Sequence, residues 1–182
     1  MLFLSMLNMG FPGLLRLGEM TISNNLQLRD FHKIILRNSF NWVGNDYEFL
    51  LPVQKMDTTF KGNHVHISQI IGTPDPQPIM RLYLDLCDRL FLLHPQLWLH
   101  NDGLSPTRSW FLHCLQQYCP SDIAGQSICA GGATVLAEAG AMSDLICGAG
   151  HWSSNVFERY IRKNVIVLHA LILGRALHYS HS

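Results

Sequence analysis

The chain has 182 residues, 48% hydrophobic and 14% charged, and its 13 basic side chains balance its 13 acidic ones to a formal net charge of zero. This composition predicts one globular domain with a substantial core and excludes an intrinsically disordered chain, which combines low hydrophobicity with high net charge. It also lacks the basic excess that is usual for a dedicated nucleic-acid-binding domain.

Both ends of the chain are apolar. The amino-terminal run MLFLSMLNMGFPGLLRLGEM has no basic start and no signal-peptide cleavage site, so it predicts two helices with a break at 10–13 and a restart at Leu14. The carboxy-terminal run VIVLHALILGRAL at 165–177 contains His169 and Arg175 and falls short of the ~20 residues that span a bilayer. We expect a core or partner-packing helix there and no association with a membrane.

The stretch at 26–67 contains short β-prone runs, LQLRDFHKIIL, DYEFLLPVQ and HVHIS, separated by the turn-rich NSFNWVGN and MDTTFKGN. This arrangement predicts a small antiparallel sheet of about three strands. Within HVHI, the alternation places Val65 and Ile67 on one face and His64 and His66 on the other, as in a half-buried strand.

The remainder of the chain predicts helices, so the expected fold class is α+β, mostly helical, with the sheet near the amino-terminal third. After the proline-rich GTPDPQP, a helix is expected at 82–92. Its apolar side chains recur at helical spacing: Leu82, Leu86, Leu90 and Leu93. Ser105 with the proline after it predicts another helix start. Further helices are expected at 127–139, with Gly140 as the C′ residue, and at 142–149.

Neither a metal site nor a common cofactor motif stands out. The five cysteines lack a CxxC pair, and their odd number indicates reduced thiols in an intracellular compartment rather than a disulfide framework. His113, Cys114 and Cys119 lack a second pair of zinc ligands. No GxGxxG, GxxxxGK[ST], HExxH or GxSxG motif occurs, and the glycines of AGGATVLAEAGA favour close helix packing over a phosphate loop. We therefore expect no metal and no cofactor.

Three features of the carboxy-terminal third occur in a fixed order. Gln126 and Cys129 stand at a predicted helix start, a Gly-His pair follows at 150–151, and Tyr160 lies nine residues after His151. This order resembles the catalytic domain of tyrosine recombinases of the phage-integrase type, most closely the fungal mobile-element branch of DNA breaking-rejoining enzymes. That family has an HxxR helix start, a Gly-His or Gly-Trp pair, and a tyrosine at the same distance.

Earlier segments agree with the resemblance. The family's first catalytic arginine lies in a TGLRxxE helix start, and the sequence GLLRLGE at 13–19 places Arg16 at that position. The family's lysine near the turn between the second and third strands has two candidates here, Lys55 in LLPVQKMD and Lys61 in FKGN. The resemblance covers the whole chain, 1–182, as one catalytic domain.

The resemblance implies a metal-free attack on double-stranded DNA. Tyr160 would be the nucleophile that forms a 3′-phosphotyrosyl link, Arg16 a phosphate clamp, and His151 an assistant at the phosphate. Lys55, or else Lys61, would be the general acid that protonates the departing 5′-oxygen. The cations expected to contact DNA are Lys61, Arg159, Arg162 and Lys163.

The chain departs from the family pattern in two residues and at its start. Gln126 stands in place of the histidine of HxxR, and Cys129 in place of the second arginine, which removes a bidentate phosphate clamp. Losing one such donor typically lowers the rate by ~10²–10³-fold, so we expect reduced or absent strand cleavage. Because the chain begins just before Arg16, we also expect the family's amino-terminal DNA-clamping domain to be absent and affinity for DNA to be poor.

Three functional hypotheses remain open. The first is a DNA breaking-rejoining domain, for which the resemblance implies a nuclear location. The second is an inactive mobile-element remnant of the same fold, with weak DNA binding or self-association through 165–177, a helix that in the family docks on a neighbouring protomer. The third is an unrelated helical interaction module, in which Arg16 and Glu19 form an ordinary ion pair and Tyr160 is a surface residue.

Overall fold

Six helices and one three-stranded sheet make up the described part of the chain, which in this computed structural model is residues 1–52, 62–70, 73–120, 123–150 and 152. The helices are α1 (Leu2–Gly10), α2 (Leu17–Met20), α3 (Gln77–Leu90), α4 (Arg108–Gln116), α5 (Gln126–Glu138) and α6 (Ser143–Ala149). The strands are β1 (Asn41–Val43), β2 (Asp46–Leu51) and β3 (Asn63–Ile67), and short 3-10 helices span Leu26–Leu28, Phe31–Lys33 and Arg37–Ser39. The predicted α+β class is confirmed.

The sheet has the order β1-β2-β3, and both neighbouring pairs are antiparallel. Gly44, with a φ of +61°, lies in the two-residue connection between β1 and β2, where a left-handed residue matches the twist of the paired strands. In β3, Val65 and Ile67 are buried while His64 and His66 are exposed, so the alternation predicted for this strand is confirmed.

The first strand lies later in the chain than the sequence indicated. The run LQLRDFHKIIL forms 3-10 turns, and β1 falls within NSFNWVGN, whose composition predicts a connection. The side chains of Asn25 and Asp30 accept hydrogen bonds from the backbone N–H groups of Gln27 (3.0 Å) and His32 (3.1 Å). Because these local bonds close tight turns, they replace the ladder that a strand would need.

Helix α3 is apolar on two different faces. The Tyr83 hydroxyl donates to the carbonyl oxygen of Leu97 (3.0 Å) and accepts from the N–H of Leu99 (2.8 Å), which holds the inner face against the core. The buried residues of that face are Met80, Tyr83, Leu84 and Cys87. The leucines that the sequence spacing singled out are exposed instead: Leu82, Leu86, Leu90 and Leu93. The spacing therefore identified an apolar face, but the core lies on another one.

Helix α4 begins two residues later than the sequence indicated. Its N-cap is Thr107, whose Oγ1 accepts a hydrogen bond from the N–H of Trp110 (3.4 Å), rather than Ser105. The Pro106 carbonyl accepts from the N–H of Ile22 (3.0 Å), and this pairing keeps the chain extended just before the helix.

Helices α5 and α6 begin and end within one residue of the predicted positions. Gly140 follows α5 with a φ of +83°, the left-handed geometry of a C′ residue, as predicted. A Cβ atom on Gly132 would lie 2.1 Å from the carbonyl oxygen of Phe11, so this glycine allows α5 to pack closely on the chain after α1.

The core consists of two clusters. The larger one joins α1, the sheet, α3 and α4, and the smaller one comprises Leu14, Cys129, Ala133, Ala137, Ile146 and Trp152. Among the described residues, no helix has the length and apolar character to cross a membrane. The same residues contain no group of three or more side chains that could hold a metal ion.

Candidate functional site

Arg16 is the first predicted site residue along the chain, and it is the N-cap of α2. The sequence predicts a helix restart at Leu14, but Leu14 adopts a φ of +51°, a left-handed conformation that a right-handed helix excludes, and α2 begins at Leu17. Arg16 itself is extended, with φ −74° and ψ 144°, and its side chain is 33% exposed. The turn therefore leaves the guanidinium at the surface of the molecule.

Glu19 fixes the position of Arg16. Its carboxylate accepts hydrogen bonds from the Arg16 backbone N–H (2.7 Å) and from the guanidinium Nη1 (3.0 Å). Burial raises the pKa of the Glu19 carboxyl, and its hydrogen bonds and its attraction to Arg16 partly oppose that rise. No other hydrogen bond of the guanidinium occurs within the described residues, so its remaining donors can meet an anion.

The start of α5 lies against the start of α2. A Cβ atom on Gly125 would lie 2.4 Å from Cδ2 of Leu17, so only a glycine allows the two helix starts to come this close. Gln126 begins α5 and is exposed, while Cys129, one turn later, is 7% exposed. This contact brings the two halves of the predicted phosphate clamp, Arg16 and the 126–129 turn, to the same place.

Cys129 occupies the second-arginine position with a neutral group. Its Sγ donates to the carbonyl oxygen of Gln126 (3.2 Å), and burial raises the pKa of the thiol. The charge of Arg16 acts on the same thiol and lowers its pKa, a smaller effect that requires the guanidinium to be nearby. Cys129 packs with Leu14 and Trp152 in the smaller core cluster. Within the described residues, the site therefore has one guanidinium where the family pattern has two.

The other predicted site residues lie outside the described residues. They are Lys55, Lys61, His151, Arg159, Tyr160, Arg162 and Lys163. The apolar run at 165–177 lies outside them as well. The structure thus brings together Arg16, Gln126 and Cys129, and the roles assigned to the remaining residues stay predictions.

Glu19 belongs to the candidate site through its contacts with Arg16, and it was not among the predicted site residues. Its place three residues after Arg16 suggested an ordinary surface ion pair. Its side chain is only 13% exposed, and it binds both the backbone and the guanidinium of Arg16. The signal that could have identified it is the capping-box pattern, in which an acidic residue at N3 bonds back to the N-cap.

Comparison with solved structures identifies a protein of similar fold. No family model matches the chain, and no curated protein matches it. The described fold is nevertheless similar to that of a solved site-specific recombinase. A crystal structure of the XerH site-specific recombinase, bound to its difH substrate in a pre-cleavage complex, superposes with a TM-score of 0.54 at 15% sequence identity. The match covers 87% of this chain and 47% of that one, so the chain spans about half the length of the recombinase.

Proposed function

We propose that the chain is a tyrosine-recombinase catalytic domain that acts on double-stranded DNA, with its strand cleavage impaired at Cys129. One observation carries the proposal: in a recombinase-like fold, the packing of α5 on α2 puts Arg16 beside the 126–129 turn. An unrelated fold has no reason to bring these two predicted positions together. The XerH recombinase of the comparison holds DNA, which supports DNA as the partner.

The proposed reaction exchanges one phosphodiester for another. The Tyr160 oxygen bonds to the scissile phosphorus as it loses its proton to a general base, and the bond from phosphorus to the 5′-oxygen breaks. Lys55 or Lys61 gives a proton to that leaving oxygen. Rejoining reverses these steps, because the 3′-phosphotyrosyl link keeps the bond energy. Arg16 binds the non-bridging oxygens through its unused donors, and Glu19 holds it in position.

Cys129 limits this chemistry. A thiol whose pKa is raised by burial is neutral near pH 7 and offers no charge-assisted hydrogen bond to a phosphate. Loss of one preorganised donor costs ~10²–10³-fold in rate, so the expected cleavage is slow. Replacement by arginine would restore a second guanidinium within reach of the same phosphate.

The test is covalent trapping on nicked duplex DNA of randomised sequence, with the adduct detected by mass spectrometry of the Tyr160 peptide. We expect a trace adduct in the natural chain, more adduct in Cys129→Arg, and none in either background after Tyr160→Phe. The matched control is Tyr118→Phe, at a tyrosine that is 77% exposed in the described part of the chain. An adduct that survives Tyr160→Phe contradicts the proposal.

Because Cys129 is buried, the Cys129→Arg substitution threatens the stability of the fold. The charge of the new arginine must reach the surface to avoid a large desolvation cost. Circular dichroism therefore accompanies the trapping experiment, and Gln126→His, at an exposed position, is a second gain-of-function variant. Absence of adduct in every folded variant contradicts the catalytic assignment.

The burial of Cys129 among apolar side chains favours a second candidate, an inactive remnant of the same fold. We propose that such a remnant comes from a mobile element of the fungal branch that the sequence resembles. It would bind DNA weakly without cutting it. An adduct seen only with Cys129→Arg supports this candidate over the active one.

A further inference from the structure

We propose that the outer face of α3 is a self-association surface, on which a second copy of this chain packs antiparallel about a two-fold axis at Leu86. The surface is the leucine stripe, defined as Leu82, Leu86 and Leu90. These side chains are 56%, 37% and 57% exposed. This proposal is independent of the recombinase function, since no predicted site residue lies in the stripe.

The stripe is an unusual feature of a helix that already has a buried face. The inner face of α3 is covered by α1 and by the segment that Tyr83 binds. A helix with one apolar face needs one partner, and a second apolar face indicates a second partner. Leu82, Leu86 and Leu90 are four residues apart, so they form a line with steps of about 6 Å along the helix.

The charges beside the stripe indicate what that partner is. Two charged residues of α3 are engaged within the chain: Arg81 stacks on the Trp42 ring at 3.8 Å, and Asp88 accepts two hydrogen bonds from Arg37. Asp85 and Arg89, on one flank of the stripe, make no ion pair or hydrogen bond within the described chain. One acid and one base without partners on the same flank make the surface self-complementary.

An antiparallel dimer about a two-fold axis would bury the leucines and bring these opposite charges near each other. With the axis at Leu86, Leu82 of one copy meets Leu90 of the second copy, and Leu86 meets its own counterpart. The same operation places Arg89 of one copy and Asp85 of the second on the same side of the interface, offset by about 3 Å along the helix. The long arginine side chain can span that offset, and the pair occurs twice. The leucine stripe is smaller than a standard interface of ~800 Å² per partner, so the dimer should be weak and depend on concentration.

Sedimentation velocity on the full chain tests this proposal between about 1 and 100 µM, a range suited to weak association. The mass should rise from that of one 20.6 kDa chain toward two. Leu86→Asp should weaken the dimer at least about tenfold, because it places like charges on the axis. The matched control is Leu26→Asp, at a leucine that is 72% exposed and lies outside the stripe, and it should leave the dimer unchanged.

Charge reversal tests the geometry. Asp85→Arg and Arg89→Asp should each weaken the dimer about two- to fivefold, and the double variant should restore it, since both residues are exposed and neither change disturbs the core. A monomer at every concentration overturns the proposal. So does a dimer that persists in Leu86→Asp, which would assign self-association to another surface such as 165–177, and so does a double variant that fails to recover.

Discussion

Arg16, Glu19 and Cys129 show how single residues define the capability of the site. The guanidinium is held by a mostly buried carboxylate and still keeps donors for an anion. The thiol next to it is buried and uncharged, so among the described residues of the site an incoming phosphate would meet one positive group, the Arg16 guanidinium. We therefore expect the proposed site to bind a phosphate more readily than it stabilises the additional charge of a transition state.

The buried carboxyl of Glu19 should give stability a pH dependence of defined sign. Its folded-state pKa is raised above the ordinary value of 4.5 by burial, so the folded chain binds the proton more tightly than the unfolded chain does. The stabilisation that this proton gives is present at low pH and is lost as the pH rises above about 4.5.

Urea unfolding at several pH values, with Glu19→Gln as the reference, measures this effect. The stability of the natural chain relative to the variant should fall as the pH rises from 4.5. Glu138→Gln, at an exposed carboxylate on α5, is the control substitution. A difference that grows with pH would show that the Arg16 interactions outweigh burial.

At the scale of elements, glycines position the site. Gly125 and Gly132 let α5 approach Leu17 and the Phe11 backbone, and this approach places the 126–129 turn beside Arg16. The sequence identified α5, its C′ glycine and the role of glycines in close packing. It could not reveal which partner the glycines face, because that depends on contacts between segments more than a hundred residues apart.

Other elements show where sequence reasoning succeeds and where it does not. The alternation of apolar and polar residues in β3 was sufficient to predict which of its side chains are buried, because a half-buried strand has only two faces. The run LQLRDFHKIIL was misassigned because the Asn25 and Asp30 caps outweighed its β-prone composition. The leucines of α3 do share one face of the helix, as their spacing predicted. When a helix has two apolar faces, however, the sequence does not indicate which of them packs against the core. Of the site, the sequence predicted Arg16, Gln126 and Cys129 through the order of motifs, and it missed Glu19.

Replacing each of two helical glycines by alanine should separate two effects on the free energy of unfolding: the loss of close packing and the gain in intrinsic helix propensity. Gly132→Ala should destabilise the fold by ~1–3 kcal/mol, because its Cβ meets the Phe11 backbone, which cannot rotate away. Gly148→Ala is the matched control, since among the described residues no atom outside its chain neighbours and the backbone of its own helix would lie within 4 Å of the new Cβ. This change should stabilise α6 by up to ~1 kcal/mol. Equal effects in thermal or urea unfolding would contradict the packing of α5 described above.

At the scale of the whole molecule, a net charge of zero does not exclude DNA, because a few cations placed on one surface can bind phosphates while acids elsewhere balance them. Among the described residues of the candidate site, Arg16 is the cation, and its side chain is partly exposed. The chain spans 47% of the XerH recombinase that it resembles in fold. If the proposed function holds, we expect DNA binding to depend strongly on salt, because it rests on contacts between cations and phosphates.

The most direct test of the central claim, that Arg16 lies in a DNA-phosphate site, is a fluorescence-anisotropy titration of duplex DNA across a range of salt concentrations. Arg16→Ala should weaken binding and reduce the slope of log K against log salt by about one. Lys33→Ala, which removes the same charge from a side chain that is 55% exposed, should leave binding unchanged. Equal behaviour of the two variants, or no binding by the natural chain at low salt, would contradict the account.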